Sequence, residues 1–254
     1  MKDTVRQVLV VISVLATLAV NALAEILPFN GVSTKQISDG FHVYFVPAGY
    51  VFSIWGIIYI GLIAYAVFQA LPSQRENPTL RRTGYPVVVS GLANMAWLFL
   101  WHYLQFPLTV VVMLGLLAVL IVIYLELGIG RRNVSTAETW AVRVPLSIYL
   151  GWITVATIAN ATDLLYYWNW NGFGISPRDW TLVLFAAVLV IAGLMSLTRR
   201  DVAYNLVIVW ALVGIAVQQS AAKSIVISSL VTAALVLAVL VYSLYRKRSA
   251  RATT

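Results

Sequence analysis

The amino-acid sequence predicts an all-α membrane protein, a bundle of eight transmembrane helices with both termini in the cytoplasm. Of its 254 residues, 61% are hydrophobic and only 10% are charged, whereas a soluble globular domain carries about 25% charged residues. The mean hydropathy is +0.88. The apolar residues form continuous runs that approach the ~20 residues a helix needs to cross a bilayer. These runs exclude a soluble domain, and also a β-barrel, whose strands are short and alternate in polarity.

Eight apolar runs lie along the chain, separated by polar segments suited to loops at the membrane surface. Because backbone groups in lipid must be hydrogen-bonded within their own segment, each run is predicted to be a helix. The ends of such runs are defined to within about two to four residues. The predicted spans are residues 7–26, 47–70, 84–104, 107–127, 144–168, 180–198, 202–219 and 224–245.

The positively charged residues predict the orientation. In this layout, 14 of the 17 Lys and Arg residues fall on one side of the membrane, and they do so loop by loop. The other side keeps only Lys35, Arg178 and Lys223. The positive-inside rule then places both termini in the cytoplasm of a multi-pass cell-membrane protein. The basic loops also suit contact with anionic lipid, and no motif favours nucleic acid as a partner.

The first span leaves an alternative open. Lys2 and Arg6, the apolar stretch 8–20 and the Ala-Leu-Ala sequence at 22–24 before Glu25 resemble a cleavable signal peptide. We favour a retained first helix. Cleavage would leave seven spans and an external N-terminus.

Two loops stand out in the organisation of the chain. The loop 27–46 is the longest without a span, and it contains an aromatic patch that suits either a lid over a binding site or an interfacial connector. The segment 169–179 is the best boundary, because Ser176 and Pro177 form a helix start after a run of aromatic residues. We therefore predict a core of residues 1–170 and a C-terminal three-helix extension of residues 171–254.

Three predicted spans carry aromatic and amide side chains at helical spacing, three or four residues apart. The sets are Phe52, Trp55 and Tyr59 in the second span, Asn94, Trp97 and Trp101 in the third, and Tyr149, Trp152, Ala156 and Asn160 in the fifth. Asp163 continues the last set outward. Converging faces of this kind would line a small-molecule pocket with flat walls and two amides. Helix packing explains the same spacing, so both interpretations stay open.

The same stripes resemble signatures of the TspO/MBR family, the tryptophan-rich sensory proteins that include the mitochondrial translocator protein. Residues 149–160 are similar to the family's Y-L-x-W-x-x-x-A-T-x-x-N signature, and residues 92–97 to its L-x-N-x-x-W element. Residues 47–59 resemble its P-P-x-x-x-F…W-x-x-x-Y stretch, except that Val46 replaces the first proline and Phe52 lies one residue nearer to Trp55. The resemblance covers about residues 5–168.

The resemblance implies a five-helix core with a pocket closed by the first loop. It implies binding of a tetrapyrrole such as protoporphyrin IX or heme, and of sterols in some members. Matched by motif position, Trp55, Asn94, Trp152 and Ala156 are expected to line the pocket. For some members it also implies light-dependent porphyrin breakdown, in which Trp55 and Trp152 would be the reactive indoles.

The predicted function is a membrane receptor or sensory protein that binds a flat hydrophobic ligand, with a porphyrin as the leading candidate. The alternatives are a small-molecule transporter and a light-dependent porphyrin-degrading protein. An enzyme of another type is disfavoured, because no catalytic motif is visible, the chain has no cysteine, and His42 and His102 are too far apart to share a metal ion. We expect no metal site and no covalent cofactor. A homodimer is left open.

Overall fold

The computed structural model describes residues 2–27 and 29–252, with the backbone alone described for residues 247–252. Regular structure within this part of the chain is entirely helical, which confirms the predicted fold class. The helices are α1 (Lys2–Ile26), α2 (Thr34–Asp39), α3 (Ile54–Ala70), α4 (Pro78–His102), α5 (Phe106–Leu127), α6 (Thr136–Glu138), α7 (Val144–Tyr167), α8 (Pro177–Arg199), α9 (Val202–Gln218) and α10 (Lys223–Ala252).

Seven helical segments of the described chain are long and apolar enough to cross a membrane. The remaining predicted span corresponds to α9, which is apolar but has only 17 residues. At 1.5 Å per residue it extends about 25 Å, which is at the short end of the range for a transmembrane helix. The protein is therefore a multi-pass membrane helix bundle, in which α9 is the shortest of the predicted spans.

The predicted start of the third span at residue 84 is wrong, because α4 begins at Pro78. The Asn77 side chain accepts hydrogen bonds from the backbone nitrogens of Thr79 and Leu80, at 2.9 and 3.3 Å. Together with a proline at the first helical position, this cap starts the helix before the apolar run begins. The added turns carry Arg81 and are too polar for a hydropathy pattern to include.

The predicted start of the fifth span at residue 144 agrees with the start of α7, but helical structure already begins before it. Helix α6, a π-helical turn (Thr139–Arg143) and α7 form one continuous segment from Thr136 to Tyr167. Ser135 caps it by accepting a hydrogen bond from the Glu138 nitrogen at 3.1 Å. A π turn inserts a residue without ending the helix, so the polar stretch before residue 144 belongs to the helix.

Helix α1 likewise begins earlier than the predicted residue 7, at Lys2. Asp3 in its first turn accepts two hydrogen bonds from Arg81 of α4, at 2.8 and 2.7 Å. The Arg6 side chain is buried and donates to the Arg75 carbonyl at 2.8 Å. These bonds hold the start of α1 against the α3–α4 connection.

Arginines gather at one end of the bundle, which we call the basic end. It includes Arg6, Arg75, Arg132, Arg143 and Arg199. As Arg6 does to the Arg75 carbonyl, Arg143 donates to the Arg132 carbonyl and Arg199 to the Ile129 carbonyl. The side chains of Lys247, Arg248 and Arg251, which the orientation prediction also uses, lie outside the described residues. Which side of a membrane the basic end faces stays a prediction.

The long helices share one apolar core. Helix α1 packs on α3 and α4, α5 packs between α4 and α7, and α9 packs on α7 and α10. Phe45 of the first loop meets Phe185 of α8 with ring centroids 5.9 Å apart. The Ala48 nitrogen donates to the Gly214 carbonyl of α9 at 3.0 Å. Residues of both predicted segments, 1–170 and 171–254, thus share one core, and the division at residue 170 stays a prediction.

The first loop covers the opposite end of the bundle, which we call the loop end. Ser33 and Gln36 form a capping box that starts α2. Trp101 of α4 donates to the Thr34 carbonyl at 3.2 Å, and Gln219 at the end of α9 donates to the Val43 carbonyl at 3.2 Å. Both ends of the loop are therefore bonded to transmembrane helices.

Candidate ligand-binding cavity

A cavity of about 70 Å³ lies inside the bundle, in the half near the loop end. It is bounded by α3, α4, α5 and α7 and covered by Thr34, Ser38, Val46 and Pro47 of the first loop. Seven of the nine predicted pocket residues line it: Trp55, Asn94, Trp97, Trp101, Trp152, Ala156 and Asn160. The faces of the second, third and fifth predicted spans therefore do converge on one space. Ligand binding by these residues stays a prediction.

Two predicted residues lie outside this cavity. Tyr59 lines a second, larger void. Tyr149 is buried behind the wall, with its ring centroid 6.0 Å from that of Trp55. Tyr149 lies on the same helix face as Trp152, as expected. It is one turn nearer to the basic end, however, where its side chain packs into the core and not against the cavity.

One wall of the cavity is fixed by hydrogen bonds. We call it the bonded wall and define it as Trp97 and Trp101 of α4, whose rings stack at 5.3 Å. Trp97 donates its indole N–H to the Asn160 side-chain oxygen at 3.1 Å, and Trp101 donates to the Thr34 carbonyl. The Asn160 amide nitrogen in turn donates to the Thr109 hydroxyl at 3.0 Å. This chain of bonds joins α4, α7 and α5.

The two amides of the cavity are already partly engaged. Both ends of the Asn160 amide have protein partners. The Asn94 side-chain oxygen accepts a hydrogen bond from Asn21 of α1 at 2.8 Å, and Asn21 also donates to the Thr17 carbonyl. The Asn94 side chain also lies beside the Tyr149 hydroxyl, so a ligand that used its amide nitrogen would compete with Tyr149. Both groups of the Asn160 amide are already bonded within the protein.

The facing wall has no such bonds. We call it the unbonded wall and define it as Phe52 and Trp55. Phe52 meets Trp152 edge-on at 5.7 Å, and Trp55 stacks on Tyr59 at 5.6 Å. Neither wall residue makes a side-chain hydrogen bond within the described chain. Phe52 also departs from the prediction, because it lies in a 3₁₀ turn (Gly49–Ser53) before α3 rather than on the same α-helical face as Trp55.

The cavity adjoins a second void of about 330 Å³. Thr34, Phe52, Trp55 and Trp97 line both spaces. The second void extends between α1, α3 and α4 and is lined in addition by polar groups that include Asn21, Glu25 and Lys35. Ligand pockets commonly enclose about 300–1,000 Å³. The inner cavity alone is therefore too small for a ring-sized ligand, and the two spaces joined by movement of Phe52 and Trp55 are large enough.

Sequence reasoning left two kinds of lining residue out of the site. The first are loop and α5 residues, such as Thr34, Ser38 and Met113, which no helical spacing connects to the stripes. The second is Asp163, which continues the α7 stripe but was placed near the helix end. It is only 5% exposed and lines the cavity. The spacing from Asn160 was a sufficient signal for it.

The described residues contain no group of His, Asp and Glu side chains that could hold a metal ion. The His102 ring is buried, 2.8 Å from the Leu98 carbonyl and edge-on to Phe29. His42 packs against Tyr166. In the interior, the indole N–H of Trp152 is buried without an acceptor among the described atoms. The chemistry of the cavity is therefore that of ring faces with a few polar groups, which include the Asn94 amide, the Trp152 N–H and one carboxyl group.

The fold and the cavity together define a polytopic α-helical membrane protein with an enclosed, tryptophan-lined space beneath a loop. The chain belongs to the TSPO-like protein family, whose pattern it matches over residues 7–243. This match extends beyond residues 5–168, over which the motifs resemble the family, and includes most of the last three helices. No curated protein matches the chain, and no solved structure matches it.

Proposed function

We propose that the protein is a membrane receptor that binds a flat hydrophobic ligand, a porphyrin, between the bonded and unbonded walls. Membership of the TSPO-like family supports a membrane receptor or sensory role in general. The observation that carries the ligand proposal is the meeting of four indoles, from Trp55, Trp97, Trp101 and Trp152, around one enclosed space.

Ring stacking is the physical basis of this proposal. A macrocycle buries two large apolar faces, and each aromatic pair adds about 0.5–1.5 kcal/mol beyond the burial of area. The bonded wall offers a fixed surface of two stacked indoles, and Trp152 closes the side. The ligand would enter from the second void by displacing Phe52 and Trp55, because these rings have only contacts to lose. The Asn94 amide nitrogen would then orient the ligand.

A receptor is favoured over a transporter by the position of both spaces. Their lining residues lie at mid-helix or toward the loop end, from Trp152 to Asp163 on α7 and from Asn94 to Trp101 on α4. Toward the basic end the helices meet through buried core residues such as Leu62, Leu120 and Leu146. An alternating-access carrier uses a site that opens to either side of the membrane.

We also propose that the protein lies in the cell membrane with the basic end in the cytoplasm. The gathering of arginines at that end supports this orientation through the positive-inside rule. The chain has no cysteine, so a single introduced cysteine can report which side of the membrane its position faces. A cysteine at Asn133 should resist an impermeant maleimide in intact cells, and one at Gly174 should react. The reverse pattern would contradict the orientation.

The binding proposal is tested by fluorescence quenching with protoporphyrin IX in purified protein. We expect saturable quenching of tryptophan emission and a weaker affinity for Trp152→Ala. The matched control is Trp140→Ala, because Trp140 is 67% exposed near the basic end and lines neither space. Linear, non-saturating quenching of the wild-type protein would reject the proposal. Equal weakening by both variants would reject the site.

A further inference from the structure

One acidic side chain faces the cavity without a partner. Asp163 of α7 lies one turn beyond Asn160 and is only 5% exposed. It lines the inner cavity together with Thr34 and Ser38 of the first loop. No hydrogen bond or ion pair joins it to another side chain of the described residues.

Such a group is costly in this position. A carboxylate inside a membrane protein is stable only when it is paired, hydrogen-bonded or protonated. The cavity lining contains no Lys, Arg or His. The nearest amide on the same helix face, Asn160, is occupied by Trp97 and Thr109. The protein itself therefore supplies no counter-ion at this position.

The surroundings of Asp163 suit an organic cation and not a metal ion. A metal ion needs several oxygen, nitrogen or sulfur ligands, and the described residues offer no group of three acidic or histidine side chains. The rest of the lining is mainly ring faces and aliphatic groups. A positively charged nitrogen on a flat apolar body is attracted by indole faces, and a carboxylate neutralises its charge.

We infer that Asp163 selects, at the inner end of a bound ligand, a nitrogen-bearing positively charged group over an acidic one. This inference rests on the proposed function and deepens it: among ligands small enough to lie wholly beside Asp163, a flat nitrogen-containing aromatic cation is preferred over a flat aromatic acid. Acidic substituents of a larger ligand are directed away from Asp163 and into the second void, whose lining includes Lys35. Asp163 is thus a specificity-determining residue of the binding site.

The test compares two probes with the same tricyclic body and opposite charge. The probes are 9-aminoacridine, a cation at neutral pH, and anthracene-9-carboxylate. Binding is followed by quenching of tryptophan emission, with the protein in nanodiscs of zwitterionic phosphatidylcholine so that lipid does not attract either probe. We expect the wild-type protein to bind the cation at least about tenfold more tightly than the anion. A tenfold difference corresponds to about 1.4 kcal/mol, which one close ion pair can supply.

The variant Asp163→Asn keeps the shape of the side chain and removes its charge. We expect it to lose the preference for the cation, and Asp163→Glu to retain part of it. Asp179→Asn is the matched control, because Asp179 is exposed at the start of α8 and lines neither space. Thermal unfolding of each variant shows whether it is folded. An unchanged cation affinity in folded Asp163→Asn would overturn the inference.

The outcomes separate this inference from the proposed function. Saturable quenching by protoporphyrin IX, with no effect of Asp163→Asn on either probe, would leave the binding proposal intact and reject the charge selection. Equal affinity of the wild-type protein for both probes would likewise reject the charge selection and leave the binding proposal intact. Absence of saturable binding by the porphyrin and by both probes would reject the two together.

Discussion

The bonded and unbonded walls face each other across one cavity, and both are aromatic, but they are fixed in different ways. Trp97 and Trp101 each donate an indole hydrogen bond to a protein acceptor. Phe52 and Trp55 have ring contacts alone. A buried N–H with one acceptor favours one ring orientation, because leaving it unpaired is costly. A ring held by contacts can exchange rotamers at a lower cost. We therefore expect the bonded wall to set the shape of the proposed site and the unbonded wall to set its access.

The backbone beneath the unbonded wall is nevertheless well fixed, and α9 fixes it. The Trp210 indole donates to the Val51 carbonyl at 3.2 Å, and the Ala48 nitrogen donates to the Gly214 carbonyl. Helices α8, α9 and α10 contribute no residue to either void. Their connection to the site is this support, which leaves the Phe52 and Trp55 side chains free while the chain that carries them stays in place.

The largest effect is expected from Gly214→Val, which tests that support. A Cβ at this position would lie 2.1 Å from a methyl carbon of Val51, so the segment before α3 must shift. We expect the free energy of unfolding to fall by about 1–3 kcal/mol, as for other overpacked cores, with weaker porphyrin binding. The measurement is a denaturant titration in detergent. Gly193→Val is the control, because nothing lies within 4 Å of its Cβ. Equal losses in the two variants would contradict a supporting role.

A smaller effect is expected from Asn160→Leu, which removes the bond that fixes Trp97. Leucine has a similar shape but can neither accept from the Trp97 indole nor donate to Thr109. Hydrogen bonds between membrane helices contribute about 0.6–2 kcal/mol, so stability should fall by about 1–2 kcal/mol. The Trp97 ring should also become more mobile, visible as broader or multiple ¹⁹F resonances of fluorotryptophan-labelled protein.

The control for that experiment is Asn133→Leu, an exposed position near the basic end. It makes the same chemical change without touching either wall. If Trp97 kept a single sharp resonance in Asn160→Leu, hydrogen bonding would not be what distinguishes the bonded wall. The resonance of Trp55, in contrast, should respond to porphyrin in both the wild-type protein and the control.

The smallest effect on stability is expected from Phe52→Ala, which opens the partition between the two voids. Phe52 is only half-buried and has no hydrogen bond to lose. Stopped-flow quenching should show association of protoporphyrin IX several times faster than in the wild-type protein, because a ring no longer has to move before entry. Phe173→Ala, at an exposed loop residue, should leave the rate unchanged. An association rate that Phe52→Ala does not alter would place the entrance elsewhere.

Helical spacing was enough to predict much of the cavity. Asn94, Trp97 and Trp101 lie three and four residues apart on a regular helix, so their shared direction follows from its geometry. The same argument holds for Trp152, Ala156 and Asn160. It is wrong for Phe52, because the chain forms a 3₁₀ turn before α3, and a short turn of this kind leaves no periodic signal over five residues.

Hydropathy likewise predicted the number of membrane helices better than their starts. Runs of apolar residues mark the part of a helix that lies in hydrocarbon. The first turns of α4, and the short helix α6 and π turn before α7, are polar and begin at the caps Asn77 and Ser135. Capping residues were present in the sequence. The arginines and acids of the same segments lower their hydropathy, so the predicted spans began after the caps.

The sequence by itself determined that this is a multi-pass membrane helix bundle, and that three of its helices carry inward stripes of indoles and amides. Periodicity and hydropathy are local properties, so a single chain segment contains them. Only the tertiary structure decided which indoles are hydrogen-bonded, which wall can move, and that Asp163 faces the cavity with no partner. These features depend on neighbours distant in the sequence, such as Thr34 against Trp101, and no single segment contains both members of such a pair.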